Sequence, residues 1–146
     1  MAETGSAIGK SYDPFEYEVG REKIREYANA IGETNPVHLD PRAARAAGHR
    51  ALVAPPMFAV VYCAPAILPA LFDPDVGMNF ARMVHGGQEF EWSELVAAGD
   101  VITTTASVKD ISQREAMTFY VFESVSTNQE RREVVRGIWT NIVRGG

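Results

Sequence analysis

The chain has 146 residues, 46% hydrophobic and 23% charged, enough for one domain with a full core and too few for two. Its formal net charge is −5 and no basic run exceeds Arg131-Arg132, which argues against nucleic acid or an anionic membrane surface as partner. A single cysteine, Cys63, excludes an internal disulfide, and its apolar neighbours predict a buried thiol in a reducing, cytoplasmic compartment rather than a nucleophile.

Residues 1–11 read as a flexible start to a domain spanning 12–146, and the first ten, small and polar, lack the apolar stretch of a signal peptide. A first helical stripe follows, Ile24, Tyr27, Ala28 and Ile31, with Gly32 placed to stop it. A second short helix is expected from Pro41 to Ala47, with Asp40 as N-cap and Gly48 as terminator. His38 then lies just outside the positive end of that helix, which disfavours the imidazolium and keeps the ring available as a neutral base. From Ala51 to Phe72 there is no charged residue, a length sufficient to cross a bilayer. Pro65 and Pro69 inside the stretch, and the absence of a second span, favour instead a central helix buried on every side, begun at Pro55-Pro56.

Beyond about residue 80 the hydrophobic period changes to two and β-formers dominate. Strands are expected at Met83 to Trp92, Val101 to Asp110, Glu115 to Ser126 and Glu133 to Val143, with turns at Ala98-Gly99-Asp100, Ser112 to Arg114 and Asn128-Gln129-Glu130. Connections this short make neighbouring strands antiparallel. The fold class is therefore α+β, an antiparallel sheet wrapped around one long apolar helix.

The segment Gly32-Glu33-Thr34-Asn35-Pro36-Val37-His38 sets a carboxylate and an imidazole five positions apart. Pro36 fixes its own φ and extends Asn35, so the chain between the two groups is not helical and both can face one cleft. That is the spacing of an acid/base pair, although spacing alone favours a plainer alternative, a solvated turn carboxylate beside a helix-flanking histidine. The three histidines lack ligand spacing, so no metal is expected, and no glycine-rich phosphate loop suggests a nucleotide cofactor.

Four segments decide between these alternatives: Val19 to Tyr27, Gly32 to His38, Leu52-Val53-Ala54-Pro55-Pro56-Met57-Phe58, and His85-Gly86-Gly87-Gln88-Glu89-Phe90-Glu91-Trp92 with Gly99-Asp100. Together they resemble the MaoC-like hot-dog dehydratases, of the N-terminal or stand-alone type found among fatty-acid-synthase-like and actinobacterial hydroxyacyl dehydratases. The resemblance implies a hot-dog fold and assembly as a homodimer or with another hot-dog subunit. It also implies reversible hydration of an acyl thioester of coenzyme A or acyl carrier protein, with no cofactor. The family pattern Gly-Asp-x-Asn-Pro-x-His makes its Asp and His the catalytic pair, which carries over here to Glu33 and His38, with glutamate standing for aspartate. Where related hydratases have His-Gly at the start of the central helix, this chain has Pro55-Pro56. Proline has no N–H, so the donor to the thioester oxygen passes to Met57, although Pro55-Pro56 as a plain helix start explains those residues equally well.

In that scheme His38 transfers the C2 proton and Glu33 serves the departing or attacking water, roles that could be exchanged, while Asn35 holds the turn or the water. Pro56, His85 and Gly86 are assigned to the substrate channel, although a bulge histidine is the more economical reading of His85. Arg82 and Arg114 are candidates for a coenzyme A phosphate or an acidic carrier. Two alternatives stand beside this reading: a non-catalytic acyl-binding subunit of a hot-dog heterodimer, and a hot-dog thioesterase, which the Asn-Pro-x-His context disfavours.

Overall fold

The change of period near residue 80 marks the passage from helices to sheet in the computed structural model, which describes residues 7–145. In chain order the elements are β1 (Phe15–Glu18), α1 (Arg21–Ala30), α2 (Pro41–Ala46), α3 (Ala59–Leu71), β2 (Met83–Trp92), β3 (Val101–Arg114), β4 (Met117–Thr127) and β5 (Glu133–Arg144). The five strands form one antiparallel sheet in the order β1-β3-β4-β5-β2, so β1 and β2 are its edges. Burial alternates residue by residue along β3, β4 and the second half of β5, and the inner face packs on α3. This is the hot-dog architecture, α+β with the sheet wrapped about a central helix.

The two short helices end in the same way. At α1 the Glu33 N–H reaches the Ala28 carbonyl (2.8 Å) and the Gly32 N–H that of Asn29 (3.2 Å), with Gly32 at φ +72°. At α2 the His49 N–H reaches Ala44 and the Gly48 N–H reaches Arg45, both at 3.0 Å, with Gly48 at φ +94°. Both are Schellman closures, which need a left-handed residue and so a glycine. The expected Asp40 cap is present, accepting from the Arg42 N–H at 2.9 Å.

The apolar stretch is not one helix. Val53 bridges to Ala97 in an extended strap, Pro56–Phe58 form a 3-10 turn, and only then does α3 begin. Nor is α3 buried on every side: Tyr62, Cys63, Ala66, Ile67 and Ala70 face the core, whereas Leu68 is half exposed. Absence of charge marked the segment as apolar but could not distinguish a helix buried all round from one with a single face on a sheet. Pro65 and Pro69 are accommodated within α3 although each removes an intrahelical hydrogen bond, because the burial of the sheet-facing stripe outweighs the loss. No described helix is long and apolar enough to cross a membrane.

Three further differences concern the strands. β1, four residues with glutamate at every second position, was not expected; it is recruited by pairing with Val101–Thr104 of β3. The turn expected at Ser112 to Arg114 lies later, at Glu115-Ala116, where Glu115 takes φ +53° without the usual glycine or asparagine signal. Packing starts before residue 12: Ala7 is buried, the Gly9 N–H bonds the Val108 carbonyl at 2.8 Å, and Ser11 bridges to Ser107. The remainder of the expected flexible start, residues 1–6, lies outside the described residues.

Phe58, fully buried, packs edge-on against Tyr27 (ring centroids 5.5 Å apart) and Tyr17 (6.4 Å). One aromatic side chain thus holds the start of α3 against the last turns of α1, immediately before Gly32 and Glu33.

Candidate active site

From the end of α1 the chain makes a tight polar turn. Glu33 curls back over it: one carboxylate oxygen accepts from the Thr34 and Asn35 N–H groups, both at 3.0 Å. Asn35 in turn accepts from the Val37 N–H at 3.2 Å and caps the 3-10 turn Pro36–His38. The Asn35 N–H, opposing desolvation, the Thr34 N–H and the nearby His38 together hold the Glu33 carboxyl below the ordinary carboxylate value, the Asn35 contact contributing most. The extra methylene of glutamate is taken up in this local brace. The second carboxylate oxygen has no partner among the described residues.

His38 is buried, and its Nδ1 lies 2.7 Å from the carbonyl oxygen of Val53. A carbonyl only accepts, so Nδ1 carries a proton, and Nε2 is the ring nitrogen left free to gain or lose one. The Val53 N–H completes the link by donating to the Val37 carbonyl at 3.0 Å. His38 is therefore tied on both sides to the strap that runs through Pro55-Pro56 into α3. No direct hydrogen bond joins Glu33 and His38; only the protonated imidazole acts on the carboxylate through charge.

Where the strap meets α3, Ala54, Pro55, Pro56 and Tyr62 of the helix side face Trp92 and Val96 across a hollow of 380 Å³. Trp92 donates its indole N–H to the Pro56 carbonyl at 2.9 Å. Pro56 lines the hollow and Met57 stands beside it, 42% exposed, in the 3-10 turn that leads into α3, near whose start N–H groups lack intrahelical acceptors. Neither Glu33 nor His38 lines this hollow; His38 is bonded to Val53, one residue before the strap residue Ala54 that does, and the bonded contacts of Glu33 stay within its own turn. Trp92, Tyr62 and Val96 were not singled out in the sequence. Tyr62 lay hidden in an apolar run, and Trp92, which closes one of the segments that carry the resemblance, bore no sign of a role of its own.

His85 and Gly86 lie apart from this group. The register of β2 against β5 slips between His85 and Gly87, so Gly86 is the extra residue of a β-bulge, and the His85 Nδ1 faces the Asn141 amide oxygen at 3.4 Å. A Cβ on Gly86 would come within 2.5 Å of the Ile142 side chain, which accounts for the glycine without a ligand. Neither residue lines the hollow at Trp92, so their expected place in a substrate channel has no support in the geometry. Arg82 lies beside Gly145, and Arg114 sits over the Phe119 ring at 5.1 Å. Among the described residues no group of three or more histidine, cysteine or acidic side chains is arranged to hold a metal.

Residues 6–136 match the FAS1-like, dehydratase domain region. The chain belongs to that family. A UPF0336 protein of Clavibacter michiganensis subsp. michiganensis is 44% identical over 129 residues, covering 88% of this chain and 87% of that protein. Among solved structures, a chain of the C-terminally truncated HadBC complex, a 3R-hydroxyacyl-ACP dehydratase of Mycobacterium tuberculosis, superposes with a TM-score of 0.81. It is 25% identical, and the match covers 96% of this chain and 99% of that one. A MaoC-like dehydratase superposes with a TM-score of 0.87 and 25% identity over 99% of this chain and 44% of that longer one. This member of the FAS1-like dehydratase domain family thus has dehydratases among its structural relatives.

Proposed function

We propose that this chain is an (R)-specific enoyl-thioester hydratase, acting reversibly as a 3-hydroxyacyl-thioester dehydratase on acyl groups carried by coenzyme A or acyl carrier protein. The observation that carries the proposal is the 2.7 Å contact from His38 Nδ1 to the Val53 carbonyl, which leaves Nε2 as the proton-transfer atom. In hydration, water adds to C3 of the trans-2-enoyl thioester as Glu33 accepts its proton, and protonated His38 delivers the Nε2 proton to C2. The thioester oxygen, negative in between, is held by the Met57 N–H. Dehydration runs these transfers backwards: neutral Nε2 removes the C2 proton and Glu33, now protonated, returns its proton to the leaving hydroxyl. The lowered pKa of Glu33 supports its service as base towards water in the hydration direction. Asn35, bonded within the turn, positions the carboxylate loop rather than transferring protons. We place this site in a single hot-dog domain that works as a homodimer or with a second hot-dog subunit.

The test is loss of conjugated-thioester absorbance when the purified protein meets crotonyl coenzyme A and longer trans-2-enoyl homologues, with Glu33→Ala and His38→Ala alongside. Both substitutions are expected to abolish turnover; near-normal rates with either would end the dyad assignment.

A second reading has a specific support. The M. tuberculosis relative is a two-subunit complex, and Pro55-Pro56 occupies the place of the usual His-Gly. On that reading the chain is the acyl-binding subunit of a hot-dog heterodimer, inactive alone and active with its partner.

A further inference from the structure

We infer that the hollow beside α2, between Arg50 and the Val53 strap, is an anion site that takes a phosphate of the thioester's phosphopantetheine arm, an inference that rests on the hydratase reading. The hollow measures 330 Å³ and is lined by Gly48, His49, Arg50, Val53, Leu95 and Ala97. Two of its walls tie it to the site already described. The Val53 carbonyl receives His38, and Leu95 also lines the apolar hollow at Trp92. An apolar hollow and one edged by the Arg50 guanidinium thus share Leu95, with Val53, the acceptor of the proton-transfer histidine, on the second. A thioester with an apolar acyl group at one end and a charged carrier at the other has this polarity.

The arginine is held ready for an anion. Its Nη2 donates to Asp100 at 2.7 Å, and the two partners differ in exposure: the Asp100 side chain is 1% exposed, that of Arg50 55%. Asp100 also accepts from the Ala97 N–H at 2.9 Å and the Gln129 amide at 3.0 Å, so its charge is shared inward among three donors. The Nε and Nη1 groups of Arg50 have no partner among the described residues. A guanidinium pinned on one edge by a buried carboxylate and open on the other loses little freedom on meeting a phosphate oxygen.

The surrounding charge agrees. Although the whole chain carries −5, the segment from Pro41 to Arg50 holds Arg42, Arg45, His49 and Arg50 and no acidic residue. Arg42 and Arg45 are exposed and form no ion pair among the described residues, in contrast to Arg25 and Arg136, whose charges are met by glutamates on their own elements. This is the positive patch by which an acidic protein would collect an anionic substrate.

Calorimetric binding of pantetheine, 4′-phosphopantetheine and coenzyme A to the full chain tests the site without requiring turnover. The phosphate is expected to tighten binding roughly tenfold at low salt, with the gain shrinking as salt rises. Arg50→Gln should erase the gain, and Arg50→Lys, which keeps the charge but not the fork, should restore part of it. Because the readout is a ratio of two ligands within one variant, a loss of stability from breaking the Asp100 pair does not mimic the result. Equal affinity for pantetheine and phosphopantetheine in the unsubstituted protein, or a gain that survives Arg50→Gln, overturns the inference. An Arg50-dependent gain for phosphopantetheine supports the arm's own phosphate, which carrier protein shares, whereas an Arg50-dependent gain seen only with coenzyme A assigns the hollow to the nucleotide phosphates and overturns that assignment. An intact phosphate gain in a protein that hydrates nothing removes only the proposed activity; hydration without the gain removes only the anion site.

Discussion

The Nδ1–H of His38 donates to the main-chain carbonyl of Val53 at 2.7 Å, across a sequence separation of fifteen residues. The bond sets the tautomer of the ring and at the same time closes a buried carbonyl that would otherwise lack a donor, so stability and chemistry are joined in one contact. They can be separated. Asparagine at position 38 can place an N–H near the Nδ1 position but carries no base. His38→Asn should therefore hold its melting temperature close to that of the unsubstituted protein while losing about 100-fold or more in hydration. His38→Ala should lose the same activity and in addition about 1–3 kcal/mol of stability, the cost of an unmet buried acceptor. Equal melting temperatures for the two variants would show that the bond contributes nothing to the fold.

Glu33 is held below its ordinary pKa, chiefly by the Asn35 N–H, with the Thr34 N–H and His38 adding to it. For a depressed carboxyl the linked stability is fully present above the unfolded pKa and is lost as pH falls through the lower, folded value. The same ionisation limits hydration on the acid side, since only the carboxylate accepts the proton of water. The acid limb of the rate profile is expected below the ordinary carboxylate value, and Glu33→Gln should lose that limb together with about 100-fold or more in rate. An acid limb at the ordinary value, or one that persists in Glu33→Gln, would assign it to another group.

What the sequence disclosed of this site, and what it did not, follows the range of the interactions. The Glu33 to His38 turn and the Asp40 cap were legible because their partners lie within a few residues: Glu33 with Asn35, Asn35 with Val37, Asp40 with Arg42. The bounds of β2 agree with the expected Met83 to Trp92, although the bulge at Gly86 interrupts its alternation. β1 was not, since four residues carry little periodicity and the strand exists only through its pairing with β3. The strap at Val53, the Trp92 contact with Pro56 and the Arg50–Asp100 pair were equally hidden, because each joins segments tens of residues apart through backbone atoms or side chains that bear no motif.

Asp73 anchors the segment after α3 to the start of the chain: its carboxylate meets the Lys10 ammonium at 2.6 Å and the Tyr12 hydroxyl at 2.7 Å. These contacts, Lys10 first, lower its pKa from 3.8 to about 2. Its linked stability is accordingly complete above pH 3.8 and disappears as pH falls towards about 2. Thermal melts across that window should show a drop in midpoint that Asp73→Asn removes, the variant being less stable at neutral pH and flatter in acid. Parallel pH curves for the two proteins would mean that another carboxylate carries the acid sensitivity.

Cys63 is fully buried on the inner face of α3, its Sγ 3.3 Å from the Ser126 hydroxyl, and burial raises its thiol pKa. Burial suppresses the thiolate and outweighs the Ser126 contact, which acts the other way. The native protein should resist iodoacetamide at neutral pH, with alkylation appearing only as denaturant unfolds the sheet. Rapid alkylation of folded protein would place the thiol in an accessible site and reopen its dismissal as a nucleophile.

Trp92 acts on the proposed oxyanion donor through the peptide that carries it. The Pro56 carbonyl, which accepts the indole N–H at 2.9 Å, belongs to the same peptide group as the Met57 N–H. A hydrogen bond on the oxygen fixes the plane of that group and polarises it, so the N–H at the other end is both aimed and strengthened. Trp92→Phe keeps an aromatic wall on the 380 Å³ hollow but removes the donor. Because the Met57 N–H is asked to hold charge that appears only in the transition state, the variant should lose roughly tenfold in kcat with little change in KM. Trp92→His, which can present a ring N–H, should recover part of that loss where its reach allows. A rise in KM alone would make Trp92 a wall of the cavity and no more, and the orientation of the Met57 peptide would then rest on the turn Pro56–Phe58 by itself.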